Sequence, residues 1–156
     1  MIAKAKAISH GINDIRYITG ESHNKKHPEK IYRVLDNMIP SEPDAMGVWN
    51  SMQLTLSRFR PVKNSVIRIE DWQKLWQDFA KEFDKQVFKD KDGKVRNCPT
   101  NLANSKYTVW LHMESNSGVP HLHAAVCRMD EDGKINNDHN IHLRAQWAAE
   151  RGAKKR

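Results

Sequence analysis

The stretch Val109-Trp110-Leu111-His112-Met113-Glu114-Ser115-Asn116-Ser117-Gly118-Val119-Pro120-His121-Leu122-His123-Ala124-Ala125-Val126-Cys127-Arg128 decides how this chain is built. Before the loop, Tyr107, Val109 and Leu111 alternate with Thr108, Trp110 and His112, the period of two that puts successive side chains on opposite faces of a strand. After it, Leu122 to Arg128 reads as a second strand, closed by the Asp130-Glu131-Asp132-Gly133 turn. The Ser-Asn-Ser-Gly composition between the two predicts a hairpin. Strand phase then sends His121 and His123 to one face, and a return from His112 brings a third imidazole beside them.

Working outward, Trp72, Leu75, Trp76, Phe79 and Phe83 form the apolar stripe of a helix, with Asp71 placed to cap it. Asp90-Lys91-Asp92-Gly93-Lys94 reads as an exposed turn and Cys98 to Asn104 as a loop. The tail from Ile141 carries Leu143, Gln146, Trp147 and Ala148 at helical spacing. Toward the N-terminus, Ala3-Lys4-Ala5-Lys6-Ala7-Ile8 alternates as a strand with one buried face, and Asn13 or Asp14 offers a cap for a short helix carrying Ile15, Tyr17 and Ile18. Gly20 to Pro43 reads as a long surface excursion with a short helical piece at Ile31 to Leu35. Ala45, Met46, Val48, Trp49, Met52 and Leu56 predict a helix ended by Pro61, and Val66, Ile67 and Ile69 a strand. The sum is an α+β fold, a largely antiparallel central sheet flanked by helices.

The 156 residues suit one domain, 1–156, read as the whole or as the N-terminal part of a longer protein. No apolar run approaches the ~18 residues a membrane span needs, and no secretory core follows Met1, so a cytoplasmic location is expected. Cys98 and Cys127 stand apart in unrelated contexts, which excludes a Cys-x-x-Cys site and leaves any metal to His, Asp or Glu. A surplus of 26 Lys and Arg over 19 Asp and Glu gives a formal charge of +7 and suits a polyanionic partner such as nucleic acid, although a basic surface alone proves no binding.

His112, His121 and His123 therefore form a candidate metal site. Three neutral imidazoles hold a divalent ion and leave coordination positions open for substrate oxygens, whereas the competing reading is an unliganded cluster of half-buried histidines. Glu114, two residues past His112, is placed to orient a ligand histidine.

A first His, an x-acidic residue, a short loop and a His-x-His entering an apolar strand is a pattern that resembles the mobilisation relaxases, within the larger group of His-hydrophobic-His endonucleases. Here Glu114 stands where the family has Asp, and the loop before His121 is slightly longer. The segments Phe59 to Glu70 and Arg128 to Lys134 are similar to mobilisation proteins of the Bacteroides type. Relaxases carry a nucleophilic tyrosine just after the first strand, and Tyr17 in Ile12-Asn13-Asp14-Ile15-Arg16-Tyr17-Ile18-Thr19 matches that context, whereas the residues alone favour an amphipathic core tyrosine.

The resemblance implies metal-dependent nicking of single-stranded or hairpin DNA at a transfer origin through a tyrosyl 5′-phosphate, with Tyr17 and Glu114 in the catalytic set. It further implies a divalent ion, Mg or Mn in use with Zn or Ni as substitutes, and accessory mobilisation proteins as partners. Trp49, Phe59 and Arg60 are candidate DNA contacts. Three rivals remain open. A rolling-circle replication initiator of the same fold would carry its tyrosine after the His pair, where this chain has none; a histidine-triad hydrolase would need a further His where Ala125 stands; a non-catalytic DNA-binding accessory protein would use the same residues structurally.

Overall fold

The computed structural model describes residues 2–8, 18–19, 31–37, 51–57, 68–96, 99–113 and 120–154. Their core is an antiparallel five-stranded sheet. Its strands are β1 (Ile2–Ile8), β2 (Ile31–Asp36), β3 (Ser51–Ser57), β6 (Ser105–His112) and β7 (His121–Asp130), in the spatial order β1-β3-β7-β6-β2. A separate two-stranded ribbon pairs β4 (Phe88–Lys89) with β5 (Val95–Arg96). Among the described residues the long helices α1 (Ile69–Lys85) and α2 (Ile141–Lys154) complete the α+β architecture. No helix among the described residues is long and apolar enough to cross a membrane.

The sheet separates chemistry by face because pairing register carries one side-chain phase across every strand. Leu111 pairs with Leu122, and Val109 with Ala124, so these residues share a face. The helices cover it: Trp72, Leu75, Trp76, Phe79, Ala80 and Phe83 of α1 and Ala145, Ala148 and Ala149 of α2 join the strand residues in one buried cluster. Large aromatics from α1 meet small residues from α2 and β7, which lets both helices lie close to the sheet. Trp76 packs edge-on against Tyr107 at 5.6 Å between ring centroids. Two side-chain bonds tie the helices to the outer strands: Gln73 Nε2 donates to the Val34 carbonyl at 2.9 Å, and the Ala3 amide donates to Gln146 Oε1 at 3.1 Å. Phe79→Ala is expected to cost about 3–5 kcal/mol in urea unfolding, and a loss under ~1 kcal/mol would mean that α1 does not seal the sheet.

The Asp90 and Asp130 turns are built alike. In each, the aspartate Oδ1 accepts the amides two and four residues on, at 2.8–2.9 Å, and a glycine at φ +80° or +82° supplies the left-handed residue that the sequence Asp-x-Asp-Gly-Lys promises.

Several expectations are corrected. Ile31 to Leu35 is not helical but forms edge strand β2, so the supposed surface excursion contributes to the sheet. Met52 to Leu56 belongs to strand β3, not to a helix, because its positions are paired on both sides, with β1 and β7. Ile69 opens α1 rather than closing a strand, and Asp71 lies inside the first turn; the N-cap is Arg68, with no side-chain cap bond. Within the expected loop, Leu102–Asn104 forms a 3-10 turn held by Asp84, which accepts from the Leu102 and Ala103 amides. The expected helix around Asn13 to Ile18 lies mostly outside the described residues, of which Ile18 and Thr19 are helical.

Candidate metal centre

The face opposite the helices carries the histidines. His112 pairs directly with His121, and the neighbouring cross-strand row on the same face runs Lys4, His123, Trp110, Arg33 from one edge of the sheet to the other, with β3 passing between the first two. The three imidazoles converge as strand phase predicts. Ring centroids are 4.2 Å apart for His112 and His123, 4.6 Å for His121 and His123, and 5.6 Å for His112 and His121. One ring nitrogen from each lies within 4.8 Å of the other two. His112 is fully buried and His123 is 9% exposed. His121 is half-buried, which leaves the cluster an approach from one side.

The donor set fits a metal ion. Even at the widest spacing, an equilateral triangle of that side, the centre lies about 2.8 Å from each corner, so closing to zinc-type bonds of ~2.0–2.1 Å takes under ~1 Å of movement per ring. The Ile18 carbonyl adds a second reason. His112 Nε2 lies 2.9 Å from that oxygen, which can only accept, so the proton is assigned to Nε2 and the lone pair to Nδ1. A ligand histidine whose other ring nitrogen donates to a backbone carbonyl is fixed in tautomer and ring orientation.

Ile18 is itself fully buried, and it is the residue bonded to Tyr17. Tyr17 and Glu114 lie outside the described residues, as do Phe59, Arg60 and Trp49. The two described tyrosines are placed against a role at the histidines. Tyr32 pairs with Leu111 and Tyr107 with Val126, and both partners face the helices. Burial, reinforced by the charge of Glu131, also pushes the Tyr107 phenol above its ordinary value, the wrong direction for a nucleophile.

Three features beside the cluster were not legible in the sequence. The Ile18 carbonyl is a backbone atom 94 residues from its partner and leaves no sequence signal. Arg33 sits in a segment whose spacing mimics a helix. Trp110 was legible as a neighbour of His112 on the same strand face, but only the register with β2 and β7 shows that it stands between Arg33 and His123. Compared with known proteins, the chain matches no protein-family model and no curated protein.

Proposed function

We propose that the chain is a relaxase-type endonuclease that nicks single-stranded DNA with Tyr17 as nucleophile and His112, His121 and His123 as metal ligands. The carrying observation is the convergence of three imidazoles on the sheet face away from the core, with the residue next to Tyr17 hydrogen-bonded to one of them. The positions of Tyr32 and Tyr107 on the other face support Tyr17 by elimination. The motif order His112, Glu114, His121, His123 supports the same class.

His112, His121 and His123 would hold a divalent ion, which would supply Lewis-acid charge to the scissile phosphate. Between Mg and Mn, an all-nitrogen set favours Mn, since Mg prefers oxygen donors. The chain's own residues do the rest. The Tyr17 oxygen bonds to phosphorus as its proton leaves to a base, the bond from phosphorus to the 3′ oxygen breaks, and the released 3′ oxygen takes up a proton. The 5′ end stays on the tyrosine as a phosphodiester, so attack by a 3′-hydroxyl reverses the step and reseals a strand. In this reading the DNA is a transfer origin and accessory mobilisation proteins are its partners.

The basic surplus gives a direct test. Affinity for a single-stranded oligonucleotide is expected to fall with salt, the log-log slope being roughly −0.7 for each phosphate contacted. Fluorescence anisotropy between low and moderate salt measures it. A flat response removes the electrostatic argument, and no binding at low salt removes the DNA substrate.

A further inference from the structure

We propose that Trp110 and Arg33 form a subsite for the nucleotide adjoining the scissile phosphate, the indole stacking on its base and the guanidinium contacting its backbone; this rests on the nuclease reading above. Trp110 lies one strand repeat from His112 on the same face, about 6.8 Å along β6. It stands directly across from His123 on one side and from Arg33 on the other. A strand whose phosphate sits at the histidines and which runs toward β2 therefore meets the indole first and the guanidinium next.

The ring is held for this purpose by bonds within the protein. Trp110 Nε1 donates to Thr108 Oγ1 at 2.7 Å, and Thr108 Oγ1 donates to Asp36 Oδ2 at 3.2 Å. With its one polar atom engaged, the indole has only its π-face to offer, and every base presents a matching surface, so the contact is tolerant of sequence. Trp110 is half-buried and does not belong to the core cluster beneath the helices. Besides the histidines and Arg33, its described neighbours on the same face, Thr108 and Ala125, are small. Arg33 is exposed at the edge strand, where it meets a polyanion without first being desolvated.

The test is anisotropy of a labelled oligo-thymidylate with the full chain and Mn, beside the same phosphate chain lacking bases. Trp110→Ala is expected to weaken oligo-thymidylate binding about 5- to 100-fold. Trp110→Phe, which keeps a π-face, should recover most of that loss. Removing the bases should cost the wild type more than it costs Trp110→Ala, whose stacking partner is already gone. Arg33→Ala should lower the salt slope by roughly 0.7, one phosphate contact. If Trp110→Ala does not fold, Trp110→Leu replaces it, filling the position without a π-face.

Equal affinity of wild type and Trp110→Ala or Trp110→Leu overturns the subsite while leaving the nuclease reading standing. So does an equal cost of base removal in both. Metal titration separates a structural role: lower metal affinity in Trp110→Phe would make the indole a prop for His123 and overturn the subsite. If the wild type itself fails to bind oligo-thymidylate at low salt, the nuclease reading fails and the subsite falls with it.

Discussion

His121→Ala is expected to lower Mn or Zn affinity by more than ~100-fold and to abolish nicking with it. Loss even of a residue that merely orients a ligand typically costs 10–100-fold, and this change removes one of the three proposed ligands. His121 is the informative choice among the three because it is half-buried at the mouth of the cluster, whereas His112 is fully enclosed. Truncating it exposes little new apolar surface, so the fold should survive and the loss reports the site. His142, exposed on α2, is the control, and His142→Ala should titrate metal as the wild type does. Calorimetric titration of metal into both variants, followed by cleavage of a labelled oligonucleotide, decides the matter. Unchanged metal affinity in His121→Ala would show that the imidazoles are packed together without serving as ligands.

How well such a site can be read in advance depends on how local its determinants are. The histidine cluster was legible because a period of two across one hairpin fixes which side chains share a face, and that hairpin spans few residues. The α1 stripe and the two Asp-x-Asp-Gly-Lys turns were legible for the same reason. β2 was not. Ile31, Val34 and Leu35 sit at helical spacing, and the bulge between Arg33 and Leu35 breaks the alternation that would have marked a strand. Only pairing with β6, more than seventy residues on, makes it one.

β3 was misread because Met52 and Leu56 satisfy both a helical i, i+4 relation and a strand i, i+2, i+4 relation. Its place between β1 and β7 decides between them, and neither neighbour is close in sequence. The candidate site repeats the lesson at atomic scale. Imidazoles announce themselves by residue type, whereas the Ile18 carbonyl that orients His112 is a group every residue possesses.

Tyr17→Phe is expected to abolish the covalent protein–DNA adduct completely while leaving metal affinity and single-strand binding within about twofold of wild type. The change deletes one oxygen. It keeps the aromatic ring and the backbone that carries Ile18 to His112, and it leaves all three imidazoles in place. A phenol with an ordinary pKa near ~10 has to lose its proton as it attacks, and phenylalanine offers neither the proton nor the oxygen, so no slower version of the same step survives. Denaturing gel electrophoresis of the chain with an end-labelled transfer-origin oligonucleotide and Mn reads the adduct directly, and peptide mapping of the wild-type adduct locates the tyrosine. The outcomes separate the parts of the reading. An adduct that persists in Tyr17→Phe puts the nucleophile elsewhere, against the placement of Tyr32 and Tyr107 on the helix-covered face. Cleavage by the wild type without any adduct makes water the nucleophile: the metal centre would stand, and the relaxase assignment would fall.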